Sequence, residues 1–327
     1  VIRPLILGGM VYGPAFLDIF ERFCVASMRA PENLEALRSN GASVVLATDK
    51  ESCDRLTAIL GDIPHELYEL PAGSKDTLFE TLAGMQATIV RHAADKGCAF
   101  HMLMPDQCYS ERYFPNLFRL AEQGDVVHNG LNVALSGAVR LFRRREADGA
   151  LSVSANVLGD VAWEHLHERM SAYLMNRAKV PVSMPPSHFH LWRAQDRVML
   201  FSPYNSPVYL TPETARRYPP PPLHTLDREI QRIVDEFVCP TLADDMVMIG
   251  IEQADVEAQP FVDWETFAAS CWGDIGGEFN RLPYYAKPIA EVPAAVLEGM
   301  PTAADVMQRQ GVIAAGLEEW GIVGAAA

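Results

Sequence analysis

The 327-residue sequence has six cysteines, Cys24, Cys53, Cys98, Cys108, Cys239 and Cys271, but no C-x-x-C pair. Such irregular spacing argues against a zinc knuckle or a disulfide framework and fits reduced thiols. No apolar run approaches the roughly 18 residues that span a bilayer, so no transmembrane segment is expected. The opening Val1-Ile2-Arg3-Pro4 leads straight into an apolar stretch, has no initiator Met and lacks the layout of a signal peptide. A cytoplasmic protein is the expectation. Basic residues are scarce, with 27 Lys and Arg against 42 Asp and Glu and a net charge of −15. That surface repels phosphate backbones, which excludes nucleic acid as a general partner but leaves room for one nucleotide in a locally positive site. Three catalytic signatures are also missing. Without G-x-G-x-x-G or G-x-x-x-x-G-K-[ST] there is no support for a dinucleotide fingerprint or a P-loop. Without G-x-S-x-G a serine hydrolase is disfavoured.

What is present is a core. Hydrophobic residues make up 49% of the chain and charged residues 21%, enough for one large folded domain or two modest ones. Residues 4–10 form an apolar run ending in glycines, read as a buried parallel strand. Residues 15–28 have the spacing of an amphipathic helix with Phe16, Ile19, Phe20 and Phe23 on one face. A short helix over 32–40, a β-branched strand over 42–47 and a helix carrying Cys53 to Leu60 follow, with Thr48 as its expected cap. A strand over 65–70, a long helix over 74–96 stopped by Gly97, and a strand over 99–104 continue the alternation. Residues 112–123 read as a helix and 125–129 as a strand. Such alternation predicts an α/β fold, a mostly parallel sheet with helices on both faces. The second half is less regular: a helix over 163–177, a hairpin over 187–192 and 197–202, a stiff YPPPP connector, a helix over 226–236 and a strand over 246–252. From about 261 the pattern turns to helices and loops. The expected organisation is therefore one α/β domain over 1–260 and a helical C-terminal extension over 261–327.

In an open parallel sheet, ligands collect outside the carboxyl ends of the strands. Gly8-Gly9-Met10-Val11-Tyr12-Gly13 follows the first strand, where Gly9 lets the backbone approach a ligand and Tyr12 offers a ring for a base. A tight turn packed on a helix is the plain alternative. Thr48-Asp49 follows the second strand and offers acceptors for a ribose or base edge, or simply a helix cap. Asp106 follows the fourth strand in Met104-Pro105-Asp106-Gln107-Cys108-Tyr109-Ser110, where a carboxylate can hold a divalent cation against a diphosphate. His188 and His190 share a strand face at i, i+2 and are candidate metal ligands, or one is a core histidine. Asp227 reads as a helix cap. Asp244-Asp245 before an apolar strand offers a catalytic base or a solvated turn. The run Arg143-Arg144-Arg145 can pair with phosphates, although such runs are usually exposed.

The segments Val11-Tyr12-Gly13, Phe16…Phe20, Ser27-Met28-Arg29-Ala30-Pro31-Glu32-Asn33-Leu34, the strand closing at Thr48-Asp49, and Met104 to Ser110 followed by a helix resemble a group of bacterial glycosyltransferase-like proteins. These are similar to nucleotide-diphospho-sugar transferases of the GT-A fold. The resemblance covers about residues 3–135 and is weaker around His188, Asp227 and Asp244-Asp245. It implies transfer of a sugar from a nucleotide-sugar donor to an acceptor it does not identify. Gly9, Tyr12, Thr48, Asp49 and Ser110 would contact the substrate. Asp106, completed by His188 or His190, would hold Mg²⁺ or Mn²⁺, and Asp245 or Asp227 would act as general base. The sequence departs from the group where an Asp-x-Asp triplet is typical, because Asp106 is followed by Gln107-Cys108. A catalytically silent sugar-nucleotide- or partner-binding protein of the same fold is the first alternative. Another α/β enzyme, such as a methyltransferase, is the second, although Gly8-Gly9-Met10-Val11 imitates its glycine loop poorly. Nothing in the sequence reads out oligomeric state.

Overall fold

The computed structural model describes residues 4–70, 78–128, 131–165, 179–181, 190–194, 197–201, 208–218, 233, 237–238, 240, 245–252, 261–263 and 284–288. His188, Asp227, Asp244, nearly all of the 226–236 helix and most of the C-terminal extension lie outside them.

The main sheet has seven strands. Four lie side by side: β3 (His65–Glu69), β2 (Ser43–Thr48), β1 (Leu5–Met10) and β4 (Ala99–Leu103), all parallel. Beyond β4 come β11 (Val208–Leu210), β6 (Asp125–Val127) and β12 (Phe237–Val238). Only β11 runs against its neighbours; β12 is again parallel to β6. Along β1 the side chains alternate, with Leu5 and Leu7 entering one core and Ile6 the other. The first core receives α1 (Pro14–Ile19), α3 (Pro31–Ser39), α4 (Cys53–Leu60) and α6 (Tyr113–Ala121). The second is covered by α5 (Leu78–Asp95) through Ala87, Ile89, Val90 and Ala93. Helices on both faces of a mostly parallel sheet are the α/β architecture expected.

A smaller sheet is set beside the first core. In it β13 (Met248–Glu252) lies between antiparallel β5 (Gln107–Tyr109) and parallel β7 (Leu131–Ala134). Its apolar face meets Ile19 and Phe23 and the helix α8 (Ala155–Glu164), with α7 (Leu135–Ala138) following β7. Two further groups are β9 (His190–Ala194), β10 (Arg197–Phe201) and β15 (Tyr284–Pro288), and the pair β8 (Lys179–Pro181) and β14 (Phe261–Asp263). The expected hairpin is therefore present as β9–β10. The tail, read as helices and loops, contains two strands, β14 and β15, that pair back onto 179–181 and 197–201. Their β-branched and aromatic residues, such as Phe261-Val262 and Tyr284-Tyr285, suit a pleated surface.

Two local readings need correction. The helix over 15–28 is present, but its middle turn, Phe20–Val25, is π-helical before α2 (Ala26–Met28) closes it. Ile19, Phe20 and Phe23 are buried, whereas Phe16 is 42% exposed and leaves the expected apolar face. Gly8 and Gly9 lie inside β1 and not in a loop after it. A Cβ on Gly8 would strike the Phe100 and Ile89 side chains; on Gly9 it would stand 1.8 Å from the Leu103 carbonyl oxygen. The glycines therefore serve strand–strand and strand–helix approach. Backbone cannot yield as a side-chain tip can, so Gly9→Ala is expected to cost about 3 kcal/mol by overpacking. Thermal melting should read a fall of roughly 10 °C; an unchanged melting temperature would refute the close approach.

Candidate functional site

Strand order reverses between β1 and β4: β2 and β3 follow β1 on one side, and β4 begins the other. The crevice outside the carboxyl ends at such a switch point is where open α/β sheets take ligands. The register pairs Gly9 with Leu103, so the segment 10–13 after β1 and the segment 104–106 after β4 leave the sheet side by side. Asp106 thus follows β4 at the switch point.

Its surroundings explain its chemistry. Asp106 is half-buried between buried Pro105 and buried Gln107. Burial pushes its carboxyl up to about 6; its own backbone N–H opposes the shift and the nearby charge of Glu252 reinforces it. Glu252 comes from the end of β13, whose Ile251 N–H donates to the Asp106 carbonyl at 2.7 Å. Asn132 of β7 donates its side-chain amide to the Glu252 carboxylate. Cys108, at the triplet's third position, is fully buried and pairs with Ile249. Burial pushes its thiol up to about 12, with a Ser27 hydrogen bond opposing, so it stays protonated and faces the core. Gln107 is buried too, its Oε1 accepting the Met104 N–H at 3.2 Å and the Tyr109 hydroxyl. Sequence reasoning missed Glu252 because it treated 246–252 only as an apolar strand.

The segment Ser27 to Asn33 holds β5 in place. Ser27 Oγ accepts the Tyr109 N–H at 3.1 Å and donates to the Cys24 carbonyl at 3.0 Å. Asn33 is fully buried and donates to the Ser27 carbonyl at 2.9 Å and the Ser110 carbonyl at 2.8 Å. Its Oδ1 accepts the Phe114 N–H at 3.0 Å. One amide thus joins α2, β5 and α6 behind Asp106. Asn33→Ala leaves the buried Phe114 N–H without its acceptor and takes one of two hydrogen bonds from each of the Ser27 and Ser110 carbonyls, at a cost of about 2 kcal/mol. Urea unfolding checks this; a loss below about 1 kcal/mol would mean water takes over the joint.

The remaining predicted residues separate. Ser110 is buried, and its Oγ accepts the Val247 N–H at 3.1 Å and donates to the Asp245 carbonyl at 3.3 Å. It is a joint between β5 and β13, not an open contact. Asp245 has φ 52°, a left-handed conformation that Asp tolerates. Its carboxylate is 3.8 Å from Arg112, which also reaches Glu32 at 3.0 Å. Because Ser110 pairs with Val247 and Asp106 with Ile251, Asp245 lies beyond the opposite end of the ladder, ~13 Å or more from Asp106. The two carboxylates are therefore not neighbours. Thr48 is fully buried, its hydroxyl has no hydrogen-bond partner, and the helical cap is Asp49 instead. Asp49 accepts from the Ser52 hydroxyl and N–H and, at 3.0 Å, from the Gly13 N–H. Burial raises its carboxyl, but those hydrogen bonds outweigh it and leave the pKa below the ordinary value. Asp49 thus fastens the loop after β1 to the loop after β2. Tyr12, half-exposed, has its ring 6.1 Å from that of Phe16. His190 opens β9, in the separate three-stranded sheet.

The Asp106 carboxylate, kept from ionising freely by burial, and the Glu252 carboxylate, near enough for its charge to act on Asp106, are oxygen donors of the kind a hard divalent cation takes. Such a cation keeps waters and draws its other ligands from phosphates. Among the described residues no group of three or more His, Cys, Asp and Glu could close a protein cage. The residues therefore fit Mg²⁺ or Mn²⁺ shared with a phosphate-bearing ligand. A small pocket lined by Leu7, Leu34, Leu37 and Ile63 lies at the amino ends of β2 and β3, the opposite edge from Asp106.

No protein-family model and no curated protein matches the sequence. Among solved structures, the inositol-1-phosphate CTP transferase from T. maritima is similar at 11% identity, covering 94% of this chain and 97% of that one, with a TM-score of 0.30. HddC from Yersinia pseudotuberculosis is 9% identical over 83% and 99% of the two chains, TM-score 0.31. A CMP:2-keto-3-deoxy-manno-octonic acid synthetase complexed with CTP is 11% identical over 84% and 99%, TM-score 0.31. Likenesses this distant transfer no activity, and the functional reading rests on the chain's own geometry. No helix among the described residues is long and apolar enough to cross a membrane.

Proposed function

We propose that this chain binds a nucleotide-diphospho-sugar at the switch point between β1 and β4 and transfers its sugar to an acceptor. The observation that carries the proposal is Asp106, half-buried at that edge and within reach of the charge of Glu252. In this reading Tyr12 offers its ring to the base, and Asp49 fixes the loop that presents Tyr12. Asp106 and Glu252 would hold Mg²⁺ or Mn²⁺, and the ion would supply neutralisation of charge on a departing diphosphate. Asn132 orients Glu252. Gly9 and Ser110 are assigned to the frame, since packing and hydrogen bonding occupy them. For an inverting transfer, Asp227 is the carboxylate kept as general base, because Asp245 sits at the far end of the β5–β13 ladder.

The test is a panel of sugar-nucleotides incubated with the protein, with and without Mn²⁺, reading nucleoside diphosphate release and thermal stabilisation together. Metal-dependent stabilisation with diphosphate release supports sugar transfer. Stabilisation without release marks a silent binder. Pyrophosphate release from a nucleoside triphosphate plus a sugar phosphate assigns the same site to nucleotidyl transfer instead. No response to any of these ligands overturns the proposal.

A further inference from the structure

On a chain with net charge −15, five arginines gather around one turn. Arg140, Arg143 and Arg144 lie in the 3₁₀ turn Val139–Arg144 that follows α7, Arg145 comes next, and Arg22 projects from the π-helical segment beside them. The Arg22 guanidinium lies 5.6 Å from the centre of the Phe142 ring, which in turn stacks on Phe23 at 5.0 Å. Arg140 meets Glu164 at 3.5 Å, and Arg145 donates to the Gly149 carbonyl at 3.0 Å. Arg143 and Arg144 are exposed and have no acidic partner among the described residues, although Glu146 and Asp148 lie close in sequence. An apolar element sits within this charge. Val139 is 40% exposed, one of two large apolar side chains so exposed among the described residues. In a 3₁₀ turn, positions i and i+3 eclipse, so Val139 and half-buried Phe142 form one ridge, with Arg140 and Arg143 as a parallel row.

We propose that this face docks the protein on an anionic phospholipid surface. The charge is complementary to anionic headgroups, and an exposed apolar ridge between arginines suits the boundary between headgroups and acyl chains. A nucleic acid would use the arginines and leave Val139 without a role. The acidic remainder of the chain is repelled from the same surface, so only this face points toward it. The docking face is continuous with the small sheet, since the turn follows β7, whose Ala134 pairs with Glu252. It does not depend on the activity proposed above.

Vesicle co-sedimentation of the full chain tests it. Phosphatidylcholine vesicles containing about one third phosphatidylglycerol should retain the protein at low salt, pure phosphatidylcholine should not, and salt near 0.5 M should release it. The double variant R143E/R144E should weaken partitioning about tenfold or more, and V139D, with the arginines intact, about threefold or more. Arg38→Glu, on α3 in a surface pair with Asp62, should leave it unchanged. These side chains are exposed, so melting temperatures should stay level. Should the variants not fold, the lipid and salt arms on the unaltered protein decide. Equal sedimentation with neutral and anionic vesicles, or none with either, overturns the proposal. So does binding that R143E/R144E abolishes, V139D spares and duplex DNA competes away, which would mark a nucleic-acid surface.

Discussion

Asp106→Asn should lose about 10²–10³ in turnover and, at the same time, make the protein more stable at neutral pH. The two effects have one cause. Burial and the neighbouring Glu252 hold the Asp106 carboxyl at about 6, above its ordinary value of 3.8. A group whose folded pKa is raised stabilises the fold below its unfolded pKa, and that contribution is lost as pH rises through the folded value. At pH 7.5 the ionised carboxylate is therefore a cost, of about 1–3 kcal/mol after allowance for its partial exposure. Asparagine keeps the shape and removes the charge. The gain should be visible in urea unfolding at pH 7.5 without divalent metal and should vanish at pH 4. With Mn²⁺ and a sugar-nucleotide the order should reverse, because only the unaltered protein is stabilised by the ligand. Glu252→Gln should weaken the same metal-dependent stabilisation while letting Asp106 ionise at lower pH. A carboxylate kept only for structure would behave otherwise: Asp106→Asn would lower stability at pH 7.5 and leave ligand binding intact. That result would remove Asp106 from the site.

The sequence exposed this site unevenly, for physical reasons. Parallel strands β1, β2 and β4 are continuous apolar runs with helices between them, a pattern local enough to read along the chain. Asp106 was legible because it follows such a run. Glu252 was not. Its meaning arises from pairing across the small sheet, where it meets Asn132 120 residues away, and no local periodicity announces β5, three residues containing a glutamine and a cysteine. The antiparallel β11 escaped for the same reason, being three residues wedged between β4 and β6. Its end is fixed by Asp125, which accepts the Thr211 N–H and the Thr214 hydroxyl, both at 2.6 Å, and one strand-end acid looks much like another in a sequence. Ser110 shows the converse error. Its place beside Asp106 in the chain suggested a ligand contact, but a hydroxyl with donor and acceptor both engaged inside the core has nothing left to offer.

Acid should unfold this protein through its core before it disturbs the surface ion pairs. His101 of β4 and His128 after β6 are both buried, and each is held down to about 3. Burial is the main cause for both, and for His101 the neighbouring His128 adds to it. The charged form has little support there. His101 Nε2 is 3.2 Å from the Tyr113 hydroxyl, Tyr109 and Phe114 present their rings, and the Nδ1 atoms of both histidines have no hydrogen-bond partner. Burial also raises Tyr109 and Tyr113 well above ordinary tyrosine values, so no anion balances an imidazolium. For a depressed pKa, stability is complete above the unfolded value near 6.5 and is lost progressively as pH falls toward 3. Between pH 7.5 and pH 5 the two histidines together should cost about 4 kcal/mol, while Asp106, shifted the other way, returns roughly 1 kcal/mol. Urea unfolding at the two pH values should therefore show a net loss of about 3 kcal/mol. His128→Leu should flatten the net slope by about two thirds even if it lowers stability at pH 7.5, because an apolar side chain has no proton to take up. Asp106→Asn should instead steepen it, since the compensating carboxyl is gone. Opposite changes of slope from two sites are hard to produce by general destabilisation, and an unchanged slope in His128→Leu would mean that this buried pair does not control the acid response.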